Sequence, residues 1–368
     1  MVAWKKLGEF ATLQKTKNKK HLTENAYSIT QAGLIPTKSF FKEKTNVTSS
    51  DTSGYYIVEK DWFVYSPSRI DVGSINFLRD EGPVIVSPID VVFSINSNIC
   101  IPSYLLEYFF TYNGKKDLLK NREGVEGMGR RNLPFDAIRG MQIPIPTLSE
   151  QQRIVDILDT FTSSIENLKE QIVQRRKQYE CYRDQLLDLE GKPGVEMKTL
   201  GEVCKVYTGG EVPSDTIKGQ LFATDEYPYA VYANGKETYG YSKTYQIAED
   251  AVCISSIGAN TGAVFYKKGK FTPAIRLKVL IPLDGVFTKF LFYASSKIDF
   301  RGKNTGSVPN INANYVKNKF ISLPPIQEQQ RIVSILDTFE ASIQNLEAQL
   351  KEREKQYEYY RNKLLTFE

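Results

Sequence analysis

Basic, amide and tyrosine side chains recur in short stretches of this chain, and these are the residue types that could do chemistry. Lysine and arginine neutralise phosphate groups, and arginine and asparagine form paired hydrogen bonds with base edges. Nearby glycines let backbone amides approach a phosphate. The candidates in the N-terminal part are Lys15, Lys17, Lys19, Lys20, Arg69, Arg130, Arg131 and Asn132. Those in the C-terminal part are Tyr207, Thr208, Asn234, Lys236, Tyr239, Tyr241, Lys243, Arg301, Lys303, Asn304, Ser307 and Asn310.

Each of these stretches also has the composition of an ordinary solvated turn, because glycine, asparagine and serine are what turns require. The net charge of +5 permits nucleic-acid binding but does not indicate it. The recurrence of such stretches in both parts of the chain is what favours nucleic acid as the ligand.

The sequence offers little for catalysis. The single histidine, His21, lies in a lysine-rich stretch, where a solvated side chain is a better interpretation than a general base. Phosphate-binding, dinucleotide-binding and adenine-methyltransferase motifs are missing from the sequence. The stretch at 88–90 resembles part of a nuclease core only superficially, and a plain strand is the better interpretation. We therefore expect a non-catalytic chain that binds no metal or cofactor itself.

The cysteines and the hydropathy pattern bear on where the chain works. The four cysteines, at 100, 181, 204 and 253, have neither disulfide-framework nor zinc-site spacing, which favours a reducing cytoplasm. No run of about 18 apolar residues occurs, so no membrane partner is expected.

Two stretches 178 residues apart, 150–190 and 328–368, are identical at 26 of 41 positions. Each follows a proline, Pro146 or Pro324, which favours the start of a new helix. In both, apolar residues recur at alternating spacings of four and three over five heptads, which predicts a coiled coil. The predicted core residues are Ile154, Leu158, Phe161, Ile165, Leu168, Ile332, Leu336, Phe339, Ile343 and Leu346. Arg175 and Arg353 interrupt the two stripes at equivalent positions, either to set the register or with side chains that reach out to water.

Two matched apolar stripes in one chain most simply bury each other, and an antiparallel pairing lets each helix leave its own globular head and reach the other. Docking on partner proteins is the alternative. Both heads combine short β-type runs with short helices, so we predict an α+β fold with a pseudo-two-fold tandem repeat. The predicted boundaries are a first head at 1–145, a helix at 146–190, a linker at 191–194, a second head at 195–323 and a helix at 324–368.

The chain resembles the specificity subunits of type I restriction–modification systems over nearly its whole length. The resemblance rests on the starts of the two helices at 146–154 and 324–332, on the repeated heptads, and on Leu-Gly-Glu at 7–9 and 200–202. In the second head it also includes 208–210, 234–235 and 306–310, whereas the first head contributes only 65–70.

The resemblance implies that each head is a target recognition domain reading one half of a bipartite site in double-stranded DNA. The paired helices would fix the unread gap and dock two modification subunits, which bind S-adenosylmethionine and methylate adenine. Two restriction subunits that use ATP and Mg²⁺ can join this complex.

Two other interpretations remain open at the level of sequence. A coiled-coil scaffold whose heads bind proteins or carbohydrate would also use tyrosine, asparagine and glycine loops. A silent specificity variant would have the same sequence pattern. DNA binding predicts an affinity that falls steeply with salt, because counterions are released, whereas a scaffold does not.

Overall fold

The computed structural model describes residues 2–30, 33–37, 51–120, 133–301 and 311–367. It divides into two compact units. The first unit consists of Met1–Glu170 and Glu347–Glu368, and the second unit is Gln171–Leu346. Both units contain part of two 39-residue helices, α4 (Leu148–Leu186) and α8 (Ile326–Leu364). The remainder of each unit is a mixed α and β body, here called the first head and the second head.

The first head is built from short strands around an aromatic core. Its elements are β1 (Ala3–Lys6), β2 (Ala11–Gln14), β3 (Tyr27–Thr30), β4 (Gly33–Pro36), β5 (Tyr56–Val58), β6 (Phe63–Tyr65), β7 (Ile75–Phe77), β8 (Val84–Val86), β9 (Val91–Ile95), α1 (Pro102–Phe110), α2 (Tyr112–Lys120), α3 (Phe135–Ile138) and β10 (Gln142–Ile145). A four-stranded sheet has the order β2-β9-β6-β7. Phe63 on β6 stacks on Phe93 on β9, with ring centroids 4.9 Å apart, so aromatic packing joins the two central strands to the core.

The second head repeats this plan with different lengths. Its elements are β11 (Glu196–Thr199), α5 (Leu200–Val203), β12 (Cys204–Thr208), β13 (Ile217–Lys218), β14 (Tyr229–Tyr232), β15 (Gly240–Ser242), β16 (Ala251–Ile254), β17 (Val264–Lys267), β18 (Phe271–Pro273), β19 (Lys278–Pro282), α6 (Thr288–Ser296), α7 (Ala313–Lys317) and β20 (Phe320–Leu323). One four-stranded sheet has the order β12-β19-β16-β17, the counterpart of β2-β9-β6-β7. A second sheet has the order β13-β15-β14-β18.

The two heads begin and end in the same way. In the first, β1 pairs antiparallel with β10, and in the second β11 pairs antiparallel with β20. The Leu-Gly-Glu motif follows the first strand of each ribbon, and its glutamate accepts a hydrogen bond from the backbone N–H three residues earlier, of Lys6 or Thr199. This reciprocal cap satisfies a backbone donor at the start of a short helical turn. The motif that the sequence repeats therefore has a structural role in each head.

One glutamine holds each head to its long helix. Gln151 is fully buried, accepts a hydrogen bond from the backbone N–H of Ile101 (2.8 Å), and donates to the carbonyls of Ile99 (3.0 Å) and Pro146 (2.9 Å). Gln329, which is 178 residues later, makes the corresponding three bonds. Its side chain accepts from the N–H of Phe287 (2.8 Å) and donates to the carbonyls of Gly285 (3.0 Å) and Pro324 (2.8 Å). The sequence repeat is thus also a repeat of buried hydrogen bonds.

Within each unit the two long helices contact each other and run antiparallel. In the first unit Phe161 stacks on Tyr360, with centroids 5.3 Å apart, and Lys169 lies 3.7 Å from Glu354. Residue numbers rise along α4 from 161 to 169 while those of their partners on α8 fall from 360 to 354, so the two helices run in opposite directions.

The second unit repeats the ring stacking at equivalent positions and has a hydrogen bond of its own between the helices. Tyr182 stacks on Phe339 at 5.2 Å, and the hydroxyl of Tyr179 donates to Glu340 at 3.0 Å. The arginines that interrupt the heptads lie over the same pair of phenylalanines. The guanidinium carbon of Arg353 is 5.7 Å from the centroid of Phe161, and that of Arg175 is 5.8 Å from Phe339. A guanidinium over a ring face keeps its charge near water while its stem packs in the stripe.

Burial of the predicted heptad residues is graded along the helices. Ile154, Leu158, Ile332 and Leu336 are almost fully buried, because they pack against the heads. Ile165 is also buried, whereas Phe161, Leu168, Phe339, Ile343 and Leu346 are half-buried. The stripe therefore has two kinds of partner, the adjoining head and the other long helix.

Candidate nucleic-acid interface

The lysine-rich loop of the first head is organised by a buried asparagine. Asn18 is fully buried, and its amide nitrogen donates to the carbonyl of Thr23 (2.9 Å) while its amide oxygen accepts from the N–H of Leu22 (2.9 Å). The neighbouring side chains Lys15, Lys17, Lys19 and Lys20 are all exposed. Because Asn18 ties the backbone inward, the four ammonium groups point into solvent, where they can neutralise phosphates.

Arg69 is exposed on the turn that follows β6. A buried carboxyl, Asp90, lies close enough for the two charges to interact. Burial raises the pKa of Asp90 to about 7, while the positive charge of Arg69 acts in the opposite direction. The candidates Arg130, Arg131 and Asn132 lie outside the described residues.

In the second head, four loops meet in one hydrogen-bonded cluster, here called the loop junction: 208–210, 233–236, 255–262 and 274–277. The first and last of these are joined backbone to backbone. The N–H of Arg276 donates to the carbonyl of Gly209 (3.0 Å), and that of Ile275 donates to Gly210 (2.8 Å). A β-carbon at position 209 would lie 2.7 Å from the backbone of Pro273, so this close approach requires glycine.

Asn234 ties the second loop to the other two. Its amide nitrogen donates to the carbonyl of Ile275, and its amide oxygen accepts from the N–H of Ser256 at 2.7 Å. Ser256 in turn donates its hydroxyl to the carbonyl of Arg276 at 2.6 Å. Both the donor and the acceptor of the Asn234 amide are therefore used inside the head. The role that these bonds show for Asn234 is to hold the loops of the junction together.

Arg301 also binds within the junction. Its guanidinium donates to the carbonyl of Thr261 (2.7 Å) and to that of Ala259 (3.1 Å). It is still exposed on its outer side, so its charge remains available to solvent. The candidates Lys303, Asn304, Ser307 and Asn310 follow it and lie outside the described residues.

Two buried lysines donate hydrogen bonds to backbone carbonyls of the junction. Lys278 is only 4% exposed, and its ammonium donates to the carbonyl of Arg276 at 3.2 Å. Lys267, also buried, donates to the carbonyl of Lys236 at 2.5 Å and lies 3.7 Å from the ring centroid of Tyr232. Burial lowers the pKa of both ammonium groups. These cations place positive potential directly under the exposed Lys236 and Arg276.

The remaining candidates of the second head are distributed around the two sheets. Thr208 is exposed at the end of β12, and Tyr207 is exposed with its hydroxyl 3.1 Å from the Gln246 amide oxygen. Tyr239 and Tyr241 are half-buried beside and on β15. The ammonium of Lys243 is 2.7 Å from Glu226, which neutralises much of its charge. Thr208, Asn234, Lys236 and Arg301 are thus brought together at the junction, and Lys243 is directed towards an acid.

Three residues that shape this candidate interface were not identified from the sequence. Two of them, Asn18 and Lys278, are buried, and a single sequence does not show which polar side chains turn inward. Arg276 was missed because its neighbours, Ala274, Ile275 and Leu277, give it the appearance of a buried strand. Its exposure depends on left-handed backbone at Ile275 and Arg276, with φ of 51° and 61°. The sequence of this stretch does not predict that conformation.

The comparisons with known proteins agree with this architecture. The family model of the type I restriction modification DNA specificity domain matches residues 1–175 and 193–354. The chain belongs to this family of type I restriction–modification DNA specificity proteins.

Two curated relatives illustrate the sequence similarity. The chain is 34% identical over 259 residues to the Escherichia coli type I restriction enzyme EcoR124I/EcoR124II specificity subunit, which covers 61% of this chain and 63% of that protein. It is 31% identical over 260 residues to a Mycoplasma pneumoniae protein named as a type I specificity subunit, which covers 68% of this chain and 70% of that protein.

Two solved structures share the fold at low sequence identity. The S subunit of the type I system from M. genitalium superposes with a TM-score of 0.61 at 15% identity, covering 100% of this chain and 97% of that one. The HsdS subunit of Thermoanaerobacter tengcongensis gives a TM-score of 0.54 at 18% identity, covering 99% and 96%. Over the part of the chain that the structure describes, no helix is long and apolar enough to cross a membrane.

Proposed function

We propose that this chain supplies DNA sequence specificity to a type I restriction–modification complex, each head acting as a target recognition domain for one half of a bipartite site. The observation that carries this proposal is the repeated attachment of two heads through Gln151 and Gln329. The attachment is the same in both units, whereas the exposed polar loops differ between the heads. A constant frame with variable loops suits a protein that reads two different sequences.

The two long helices would form an antiparallel coiled coil that sets the unread gap between the half-sites. The boundaries proposed for the parts are 1–145, 146–190, 191–194, 195–323 and 324–368. The exposed aromatic side chains Tyr359 and Tyr360 on α8, which are 58% and 39% exposed, suit docking of a modification subunit. Two modification subunits would supply S-adenosylmethionine binding and adenine methylation, and two restriction subunits would supply ATP- and Mg²⁺-dependent cleavage.

The chain itself would act in the cytoplasm without catalysis. All four cysteines are unpaired, and Cys100, Cys204 and Cys253 are buried. Burial raises the pKa of these three thiols to about 12, which keeps them protonated and unreactive. This suits structural cysteines in a reducing compartment.

The test is adenine-methylation mapping of a host genome that expresses this chain with and without its modification subunit. A new bipartite methylated motif that requires both proteins is the expected result, and it reveals both half-sites and the gap. No new motif, despite a purified complex and an active methyltransferase, would contradict the proposal. Binding should also weaken steeply as salt rises, since the exposed lysines act through counterion release.

A further inference from the structure

A four-residue turn occurs at the same place in the topology of both heads, although neither its sequence nor its backbone conformation is the same. In the first head the turn 87–90 joins β8 to β9, and in the second the turn 274–277 joins β18 to β19. Both turns are closed by a hydrogen bond from the N–H of the fourth residue to the carbonyl of the first. The distances are 3.0 Å from Asp90 to Ser87 and 3.1 Å from Leu277 to Ala274. Both turns lead into a central strand of the corresponding four-stranded sheet. The residues predicted to be plain strand at 88–90 are thus part of a turn.

The third residue of each turn is directed into solvent. In the first head it is Ile89, which is 74% exposed, and in the second it is Arg276, which is also exposed. The next residue is buried in both heads, Asp90 at 8% and Leu277 at 0% exposure. Among the described residues, no acid forms an ion pair with Arg276. A shared position therefore presents an isoleucine in one head and an unpaired guanidinium in the other.

Each turn adjoins residues already assigned to the candidate interface. Asp90 lies within electrostatic reach of Arg69 in the first head. In the second head the turn forms part of the loop junction, with the buried ammonium of Lys278 bonded to the carbonyl of Arg276. In the second head the third turn residue consequently adjoins positive charge that attracts DNA, and in the first head its neighbour Asp90 lies within reach of the candidate Arg69.

The second turn is held in a costly conformation. Ile275 and Arg276 both have left-handed backbone, which costs about 1 to 2 kcal/mol per residue and is rare for a β-branched side chain. Five hydrogen bonds maintain these two residues: their N–H groups donate to Gly210 and Gly209, and their carbonyls accept from Asn234, Ser256 and Lys278. A phosphate contact requires only charge, which flexible lysines supply without strain. A base edge instead favours an arginine whose backbone is fixed in place, because paired hydrogen bonds depend on direction, and the hydrogen-bonded turn fixes the backbone of Arg276.

We propose that the third turn residue is a base-reading position in both heads, with Arg276 binding a guanine edge and Ile89 contacting the methyl group of a thymine. Arginine forms two hydrogen bonds with O6 and N7 of guanine, and apolar side chains discriminate thymine by its methyl group. This inference rests on the proposed function and assigns one specificity-determining residue to each half-site.

The experiment measures binding of the full chain with its modification subunit to libraries randomised in one half-site at a time. Arg276→Ala should abolish the guanine preference at one position of the half-site read by the second head, with roughly a 10- to 100-fold loss on the preferred sequence. Arg276→Lys should not restore it, because an ammonium lacks the paired donors. Lys268→Ala, which removes an exposed lysine from the same head, is the control and should leave every base preference unchanged.

Ile89→Ala should reduce the thymine preference at one position of the other half-site. The matched control is Leu119→Ala on α2, which removes a 44%-exposed apolar side chain from the same head. Melting temperatures of all variants establish that each still folds.

Three results would overturn the inference. The first is an unchanged preference in Arg276→Ala and Ile89→Ala. The second is a uniform loss over all sequences that Arg276→Lys restores, which is the behaviour of a phosphate contact. The third is a change in the wrong half-site. If the unaltered complex shows no sequence preference, both the proposed function and this inference fail. If the unaltered complex has a sequence preference that the variants do not change, only the inference about the third turn residue fails.

Discussion

Replacing Gln329 with alanine should weaken the attachment of the second head to α8 much more than the same change at the adjacent Gln330. Gln329 is 1% exposed, and its side chain satisfies one backbone N–H and two carbonyls. Alanine leaves the buried carbonyl of Pro324 without its donor, and it removes the partners of the Phe287 N–H and the Gly285 carbonyl, which water can reach. The buried group costs about 1 to 3 kcal/mol and the other two add little, so we expect a loss of about 1 to 3 kcal/mol.

Gln330 is exposed one position further along the same helix, and its replacement should change the free energy of unfolding by less than about 0.5 kcal/mol. Urea unfolding of the full chain measures the difference between the two variants. Hydrogen–deuterium exchange of the peptide that contains Phe287 locates it, since the amide should exchange faster only in Gln329→Ala. Equal stability of the two variants and unchanged exchange at Phe287 would refute the assignment. The same comparison applies to the first head, with Gln151 and its exposed neighbour Gln152.

Three further predictions concern the first unit. The pKa of Asp90 is raised to about 7 from 3.8, so its contribution to stability is full below about pH 4 and is lost as pH rises through about 7. Asp90→Asn should flatten this fall, which is on the order of 4 kcal/mol, in urea unfolding measured across that range; an unaltered pH profile would contradict it. Tyr357→Phe removes the hydroxyl that donates to both carboxyl oxygens of Glu107 at 2.9 Å, and should destabilise the unit by about 2 kcal/mol in the same assay. No loss would mean that water replaces the hydroxyl. Ile165→Asp should lower the melting temperature of the helices followed by circular dichroism, because a charge enters a site that is 8% exposed. Ser163→Asp, on the exposed face of α4, is the control, and similar melting of both variants would exclude burial as the cause.

The sequence by itself determined the periodic part of this protein. The repeat at an offset of 178 and the alternating spacing of apolar residues predicted two long helices, and α4 and α8 each span 39 residues within the predicted ranges. A helix is a local structure whose hydrophobic face follows from spacing alone, so its existence can be inferred without knowing its partner. The Leu-Gly-Glu motifs were likewise visible, because a cap involves residues only three apart.

The tertiary structure alone decided which polar side chains face the solvent. Asn18 and Asn234 have the composition of surface loops, yet both direct their amides into the protein, where backbone groups need hydrogen-bond partners. Those of Asn18 belong to its own loop, whereas those of Asn234 are 22 and 41 residues away. The correspondence of Ile89 with Arg276 also requires the structure. These residues share neither side chain nor neighbouring sequence, and they are 187 positions apart while the helices repeat at 178. Only the strand order and the place of the hydrogen-bonded turn identify them as equivalent, since loop lengths and turn conformation change between the heads while the order of the strands in the sheet does not.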